Sequence, residues 1–180
     1  MNTKIDNLIN LFNTKGEENY FGENVSKKEH MIQCAVSAQE HMESEKVILA
    51  CLLHDIGHLL EDDNMNGLGV VDHGNIGRIY LENIGLDKKI CKLVGMHVNA
   101  KKYLVSVNKS YYDKLSDASK KTLEYQGGKM NEDEINKFEK DLDMLDILSV
   151  RYHDDKGKKI DVKNLPELET FIPLIEKYMK

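Results

Sequence analysis

The stretch richest in reactive side chains is Cys51-Leu-Leu-His-Asp-Ile-Gly-His-Leu-Leu60, where three polar residues interrupt an apolar run. On a helix, His54 and His58 share a face, and Asp55 lies about 100° round the axis from His54. Burial of imidazole and carboxylate groups is unfavourable unless something compensates them. A bound iron, manganese or zinc ion would do so, because both groups are good ligands and a carboxylate can bridge two ions. For this pair alone, surface histidines on a capped helix are an equally good interpretation.

Further histidines at regular distances favour the metal interpretation. His30 precedes His54 by 24 residues, and His73 precedes His97 by the same interval. The candidate ligand set is His30, His54, Asp55, His73, His97 and Asp154. This set suits two ions that share Asp55 better than one octahedral ion. Asp154 would complete one site, and the other would keep an open position for substrate or oxygen.

Some members of the set have an ordinary interpretation when taken alone. His73 could be a loop histidine before a helix, and Asp154 or Asp155 could be helix-end charges. His41 and His153 are predicted to be surface residues and are left out of the set. Nitrogen-rich ligation without thiolate favours iron, manganese or zinc over magnesium.

The apolar periodicity predicts an all-α fold in which facing helices point these side chains inward. We expect one domain over residues 1–180, with a core at about 17–160. Ser26 with Glu29 predicts a capping box, Ser44 and Asp87 predict further N-caps, and Gly85 predicts a helix end. The predicted helices span residues 3–14, 27–42, 45–60, about 72–84, 88–96, a short segment from 116, 131–152 and 165–179.

The composition indicates a cytoplasmic globular protein. The chain has 180 residues, of which 41% are hydrophobic and 31% charged. It has no apolar run near the roughly 20 residues that span a membrane, and no signal peptide. Cys34, Cys51 and Cys91 lack CxxC spacing and are predicted to be reduced core residues. The net charge of −6 argues against general nucleic-acid binding.

The ligand pattern resembles the HD-domain superfamily, most of whose members are metal-dependent phosphohydrolases. Four segments are similar to its small branch of mixed-valence di-iron oxygenases, which includes myo-inositol oxygenase and the organophosphonate-cleaving oxygenases. These segments are Tyr20-Phe-Gly-Glu-Asn-Val-Ser26, His97-Val-Asn-Ala-Lys-Lys-Tyr-Leu104, Leu115-Ser-Asp-Ala-Ser-Lys-Lys-Thr-Leu-Glu-Tyr-Gln-Gly-Gly128 and Arg151-Tyr-His-Asp-Asp155. The resemblance covers residues 17–160 and implies a single HD-domain helical bundle.

The resemblance also implies a role for each residue of the site. Two iron ions, as Fe(II)/Fe(III), would be held, with O2 as co-substrate. Tyr20 would occupy the open position of the second iron until substrate displaces it, and His58 would lie near the substrate, so both are implied to be catalytic. The first iron would be held by His30, His54, Asp55 and Asp154. The second iron would be held by Asp55, His73 and His97. The substrate would be held by Glu23, His58, Lys101, Ser119 and Arg151.

The chemistry of the substrate residues fits these roles independently. Lysine and arginine give charge-assisted hydrogen bonds to a phosphonate. If its helix continues past His97, Lys101 lies on the same face as that ligand, and Arg151 is likewise on the face of Asp154. Glu23 suits a primary ammonium group, whereas a trimethylammonium group has no N–H and would prefer an aromatic cage.

The resemblance is nearest to oxygenases that convert (R)-2-amino-1-hydroxyethylphosphonate and O2 to glycine and phosphate. We therefore expect a di-iron dioxygenase of phosphonate catabolism, which acts on a small molecule as a monomer or weak homo-oligomer. The main alternative is an HD-family phosphohydrolase acting on a nucleotide or phosphomonoester, in which the ions activate water. A non-catalytic ligand sensor is a third possibility.

Overall fold

A computed structural model describes residues 3–21, 24–160 and 162–180, and it shows an all-α helical bundle. The predicted fold class is thus confirmed. Over the described residues, extended pairing is limited to two isolated bridges, Asn19 with Ser26 and Leu86 with Met179. The helices are α1 (Thr3–Lys15), α2 (Lys27–Glu40), α3 (Glu45–Leu53), α4 (Gly57–Leu60), α5 (His73–Ile84), α6 (Lys88–Val107), α7 (Lys109–Lys114), α8 (Asp117–Tyr125), α9 (Glu132–Glu139), α10 (Met144–Lys156) and α11 (Ile172–Tyr178), the last preceded by a 3-10 turn at Leu168–Phe171.

Helix α3 forms the centre of the bundle. Every residue from Val47 to Leu53 is buried, so this helix is apolar on all sides. A helix of that kind is stable only when neighbours surround it. Helices α2, α6 and α10 pack around it. The residues that follow α3 directly, His54 and Asp55, therefore begin in the interior of the protein.

The predicted caps fix where the site-bearing helices start. The Ser26 hydroxyl accepts the Glu29 N–H at 3.1 Å, and the Glu29 carboxylate accepts the Ser26 N–H at 2.8 Å. Ser44 and Asp87 cap α3 and α6 in the predicted way, and Gly85 ends α5 with a φ of 93°, which favours glycine. These confirmed boundaries place His30 in the first turn of α2.

Two predicted long helices are each broken in the structure. The predicted helix 45–60 ends at Leu53, and the chain turns through residues 54–56 before α4. The turn allows Gly57 to lie against the backbone of His73, where a Cβ would meet the His73 carbonyl oxygen at 2.0 Å. The expectation that His54 and His58 share one regular helix face is therefore wrong.

The second break divides the predicted helix 131–152 into α9 and α10. At the break, Asp141 and Asp143 both accept hydrogen bonds from Lys92 of α6, at 2.5 and 2.8 Å. Leu142 would lie on the apolar face of an unbroken helix, but it is fully exposed. The ion pairs of Lys92 with Asp141 and Asp143 therefore break the helix, although the apolar periodicity of the sequence continues through this segment. Helix α6 departs from prediction in the other direction, because it continues past Met96 to Val107.

The described helices also bear on membrane association. None of them combines the length and the apolar character that crossing a bilayer requires.

The close approach at Gly57 gives a test of the packing. Gly57→Ala should lower the free energy of unfolding by about 1–3 kcal/mol, since a backbone carbonyl cannot move aside as a side chain can. Gly95→Ala is the matched control, because its Cβ would first meet the flexible Arg78 side chain. Urea unfolding of both variants measures the difference, and equal stability of the two would contradict the packing described for Gly57.

Candidate metal centre

Asp55 lies at the centre of four histidine side chains. Its Oδ2 atom is 3.5 Å from His30 Nε2 and 3.3 Å from His54 Nε2. Its Oδ1 atom is 3.3 Å from His73 Nε2 and 3.5 Å from His97 Nε2. Each carboxylate oxygen thus faces a different pair of imidazoles, which is the arrangement of a carboxylate that bridges two ions.

Asp154 joins one of these pairs. Its Oδ1 atom is 3.3 Å from His30 Nε2 and 3.7 Å from His54 Nε2. We call these two imidazoles, Asp154 Oδ1 and Asp55 Oδ2 the first donor group. The second donor group consists of His73, His97 and Asp55 Oδ1, with 2.9 Å between the two Nε2 atoms.

The spacing within each group fits an ion at its centre. Ligands bonded to one ion at about 2.1 Å lie roughly 3.0–3.4 Å from one another. The two Nε2 atoms of the first group are 3.1 Å apart, which is within this range. The first group therefore offers four donors and the second offers three, which leaves the second with more room for a further ligand.

The four imidazoles present unprotonated Nε2 atoms to this centre. In each of them Nδ1 is within hydrogen-bond distance of a backbone carbonyl oxygen, which can only accept, so Nδ1 carries the proton. His54, His73 and His97 each donate to the carbonyl three residues earlier, at 2.8, 2.8 and 2.6 Å. His30 instead donates to Gly157 at 2.8 Å, beyond the end of α10.

The charge of the cluster calls for cations at its centre. Asp55 Oδ2 and Asp154 Oδ1 are buried, and no hydrogen-bond donor reaches them from the described part of the chain. Burial raises the pKa of Asp154, but the Arg151 guanidinium outweighs it and holds this pKa well below its usual range. One arginine cannot neutralise two buried carboxylates, and metal ions in the donor groups would.

His58 differs from the four candidate ligands in its tautomer. The Val70 N–H donates to His58 Nδ1 at 3.0 Å, so the proton of a neutral ring lies on Nε2. Burial lowers the pKa of His58 to about 4, which keeps the ring neutral. Its Nε2 is 4.0 Å from Asp55 Oδ1, and the ring stacks on His73 with centroids 3.9 Å apart. His58 therefore offers an N–H donor beside the second donor group rather than a lone pair.

Cys34 lies close to the first donor group but in the wrong direction for a ligand. Its Sγ atom is 3.9 Å from both ring nitrogens of His30. A sulfur equidistant from the two nitrogens lies against the ring and not along the Nε2 lone pair. Cys34, Cys51 and Cys91 are all free and buried, as predicted.

Tyr20 covers the centre from the loop before α2. Its ring stacks on His30, with centroids 4.1 Å apart and planes 25° from parallel, and its phenol lies near Asp55. Burial, and then the negative charge of Asp55, raise the pKa of the Tyr20 phenol. Glu23, the predicted contact of the substrate amine, lies outside the described residues.

Three cationic side chains, Lys101, Arg151 and Lys158, share one cavity with the second donor group. We call these side chains the cationic wall and the cavity the site cavity. Lys101 is buried in this wall and donates to Thr122 Oγ1 at 3.0 Å, and burial, followed by the nearby Arg151 charge, lowers its pKa to about 7. Lys158 donates to Ser119 Oγ at 3.3 Å. Residues from both sides line the site cavity, among them Tyr20, Asp55, His58, His73, His97, Lys101, Ser119, Thr122, Gln126, Arg151 and Lys158.

Arg151 connects this wall to the first donor group. It donates to Asp154 Oδ2 at 2.7 Å and to the Tyr111 hydroxyl at 2.9 Å, and it forms a two-point ion pair with Asp155. The guanidinium is therefore held in place from both sides. Its position orients Asp154 so that Oδ1 points at His30 and His54.

Comparison with known proteins shows which family the chain belongs to. The family described as HD domain matches residues 28–151. The 1-hydroxy-2-(trimethylamino)ethylphosphonate dioxygenase (glycine-betaine-forming) of Leisingera caerulea is 35% identical over 170 residues, which cover 93% of this chain and 86% of the relative. The hydroxymethylphosphonate dioxygenase of Gimesia maris is 33% identical over 177 residues, which cover 96% of this chain and 87% of the relative. The chain belongs to the HD-domain phosphonate oxygenase family.

A viral protein shares almost the whole chain as well. Protein L432 of Acanthamoeba polyphaga mimivirus is 38% identical over 179 residues, which cover 97% of this chain and 81% of the relative. Its name states no activity. The similarity in all three relatives extends well beyond the HD-domain segment, so it includes the loop of Tyr20 and the region around Lys158.

For this member of the HD-domain phosphonate oxygenase family, the structure brings all six predicted ligand residues into one cluster and places Lys101, Ser119 and Arg151 on the facing wall. His41 is exposed as predicted, but His153 is fully buried, because its Nδ1 pairs with the Ser37 hydroxyl at 2.9 Å. Sequence reasoning did not single out Thr122, Gln126, Lys158 or Tyr111 as site residues. Thr122 and Gln126 could have been found from their helical spacing to Ser119, whereas Lys158 and Tyr111 had no such signal.

The contrast between His73 and His58 gives a test of the donor groups. The purified protein should carry two metal ions per chain, and His73→Gln should reduce this to about one because the second donor group loses one of three ligands. His58→Gln should keep two, since the His58 lone pair is already used by the Val70 N–H. Inductively coupled plasma mass spectrometry measures both ratios. Loss of an ion in His58→Gln would contradict the assignment of His58 as a non-ligand.

Proposed function

We propose that the chain is a metal-dependent dioxygenase that cleaves the carbon–phosphorus bond of a small hydroxyphosphonate. Two named relatives are dioxygenases of phosphonates, with substrates that differ beyond the carbon attached to phosphorus. The observation that carries the proposal is the cationic wall of Lys101, Arg151 and Lys158, which shares one cavity with the second donor group. A phosphonate held by this wall would present its adjacent carbon to the metal side.

The proposed substrate is (R)-2-amino-1-hydroxyethylphosphonate, which with one O2 gives glycine and phosphate. All atoms of the substrate and of O2 appear in the two products, so no further reductant is needed. The proposed metals are two iron ions, as Fe(II)/Fe(III), with His30, His54, Asp55 and Asp154 holding one and Asp55, His73 and His97 the other. Bound iron would activate O2 and polarise the substrate hydroxyl.

The charges around the site cavity make phosphonate binding dependent on the ions. Lys101, Arg151 and Lys158 contribute three positive charges when Lys101 is protonated, and Asp55, Asp154 and Asp155 contribute three negative charges. These groups cancel, so the protein alone offers little net attraction to a dianion. Two bound ions would add four or more positive charges and turn the site cavity into an anion site.

Ser119 and Lys101 supply the directed contacts to the phosphonate in this proposal. The Lys101 ammonium has three N–H donors and uses one on Thr122, so two remain for phosphonate oxygens. A bound dianion would also stabilise the protonated form of Lys101, opposing the effect of burial on its pKa. Arg151, held by Asp154 and Asp155, would add an oriented charge at the same end of the site cavity.

His58 and Tyr20 act on the other end of the substrate. The His58 Nε2–H lies beside the second donor group and would donate to the oxygen on the reacting carbon. Tyr20 lies against His30 and Asp55, where a bound substrate would need space, so the Tyr20 loop must withdraw first. In its present position Tyr20 covers His30, while Asp55, His73 and His97 still line the site cavity.

Dependence on O2 separates this activity from that of an HD-family phosphohydrolase, for which two ions and a phosphate-binding wall would also serve. The iron-loaded protein should release glycine and phosphate in equal amounts from (R)-2-amino-1-hydroxyethylphosphonate only when O2 is present. Asp55→Ala should release neither, because it removes a donor from both groups. Amino-acid analysis and a phosphate assay measure the products. Phosphate release that continues under nitrogen would rule out the oxygenase and favour the phosphohydrolase.

Lys101 and its neighbour Lys102 give a matched test of the cationic wall. Lys101→Met should lower kcat/KM by roughly 10- to 100-fold, mainly through a higher KM, because a charged hydrogen bond to the phosphonate is lost. Lys102 is absent from the site cavity, so Lys102→Met should stay within about twofold of the wild type. Steady-state kinetics at saturating O2 compare the variants. Equal kinetic losses in both would contradict the placement of the phosphonate.

A further inference from the structure

The site cavity shares two of its lining residues, Ser119 and Lys158, with a larger cavity that we call the outer cavity. Other residues around the outer cavity are Tyr111, Lys114, Ser116, Tyr152 and Lys156. Its volume is about 500 Å³, whereas that of the site cavity is about 40 Å³. The outer cavity therefore has room for a small anion together with some of its hydrating water.

The outer cavity carries positive charge that the protein does not neutralise. Lys114 and Lys156 are exposed residues of its lining, and neither forms an ion pair with a described residue. The Lys156 Nζ atom lies 5.4 Å from the centroid of the Tyr152 ring. Asp155 is the one carboxylate among the described lining residues, and it is already paired with Arg151. The whole chain has a net charge of −6, so this cavity is a local exception that favours anions.

The contact between Lys158 and Ser119 lies where the outer cavity meets the site cavity. This hydrogen bond is 3.3 Å long, which is longer than most N–H···O bonds, so an anion oxygen can replace the hydroxyl at little cost. The Lys158 Nζ atom also lies 5.6 Å from the centroid of the Tyr20 ring. Lys158 therefore faces both cavities, and its ammonium can contact an anion in either of them.

A third cavity meets the site cavity at Val98 and Gln126, and it differs in charge. Among its described lining residues, Lys102 and Asp72 are the charged ones. Because their charges cancel, we call it the neutral cavity, and it offers a dianion little net attraction. Of the two cavities that meet the site cavity, the outer cavity is therefore the one suited to anions.

We propose that the outer cavity binds anions and is the route by which the phosphonate enters the site cavity and phosphate leaves it. This inference rests on the function proposed above, which makes both substrate and product anionic. The phosphonate would meet Lys114 and Lys156 first, then replace Ser119 as the partner of Lys158, and reach Lys101 last. Each step exchanges one cationic contact for another, so the dianion is compensated throughout its path.

Residues along a route affect binding rates differently from residues of the final binding site. Cations on the route stabilise the anion in transit, so they lower the barrier to entry and the barrier to exit alike. Their removal should reduce the association and dissociation rate constants by the same factor and leave Kd nearly unchanged. Loss of a contact in the final site would instead raise the dissociation rate constant and Kd.

The experiment measures these rate constants without turnover. Iron-loaded protein is mixed under nitrogen with (R)-2-amino-1-hydroxyethylphosphonate, and separately with inorganic phosphate, in a stopped-flow instrument. The chain has 8 tyrosines and no tryptophan, so its fluorescence comes from tyrosine. Tyr20 lines the site cavity, and Tyr111 and Tyr152 line the outer cavity, so an anion in either cavity should change this fluorescence.

In the double variant Lys114→Gln/Lys156→Gln, both rate constants should fall by about 3- to 10-fold at low ionic strength, with Kd within about twofold of the wild type. The matched control is Lys102→Gln/Lys121→Gln, which removes the same charge from residues outside the outer cavity and the site cavity. Its rate constants should stay within about twofold of the wild type. All four lysines are on the surface or partly exposed, so metal content and thermal melting should be unchanged in both variants.

Other results would overturn the inference. It fails if the rate constants of Lys114→Gln/Lys156→Gln equal those of the wild type, or if the control is slowed equally, which would indicate a general effect of net charge. It also fails if association slows while Kd rises, which would indicate long-range attraction or a place in the final site. If both anions follow the expected pattern but no glycine forms with O2, the proposed function is wrong and the anion route remains supported.

Discussion

The site depends on the compensation of one buried negative charge, that of Asp55. This carboxylate lies immediately after α3, the helix that is apolar on every side, and it is almost completely buried. Four imidazoles surround it, but each donates its proton to a backbone carbonyl and turns a lone pair inward. Lone pairs and a carboxylate repel one another unless a cation lies between them. Helices α2, α3, α5 and α6 can therefore hold these side chains together only when positive charge lies between them.

The orientation of the imidazoles is largely a local property of the chain. His54, His73 and His97 each pair with the carbonyl three residues earlier, so the preceding turn sets the ring and the tautomer. His30 is the exception, because its partner is Gly157, more than a hundred residues away. A Cβ at position 157 would meet Cys34 Sγ at 2.4 Å, so only glycine permits this approach. The segment after α10 is therefore coupled to the first donor group through His30 as well as through Asp154.

This division between local and distant contacts also explains what the sequence could predict. Capped helices and the spacing of histidines are local patterns, and they led to the all-α fold, to the starts of α2, α3 and α6, and to the six residues that cluster around Asp55. The breaks at residues 54–56 and 140–143 depend on contacts of Gly57 with His73 and of Lys92 with Asp141 and Asp143, which periodicity does not contain. The burial of His153 follows in the same way from its pairing with Ser37. The part that Lys158 plays in the site required its hydrogen bond with Ser119 of α8 to be seen.

Arg151 would make the proposed metal centre and the proposed anion site interdependent. Its guanidinium holds Asp154 Oδ2, and the other oxygen of that carboxylate belongs to the first donor group. An ion in the first donor group draws charge from Asp154 and thereby reduces how far Asp154 neutralises Arg151, which leaves more of the guanidinium charge for an anion in the site cavity. By linkage, an anion on Arg151 must change the affinity of the first donor group for its ion by the same factor. Under the proposed function, substrate and metal affinities would therefore be two measurements of one coupled system, and both would depend on whether Tyr20 still covers Asp55.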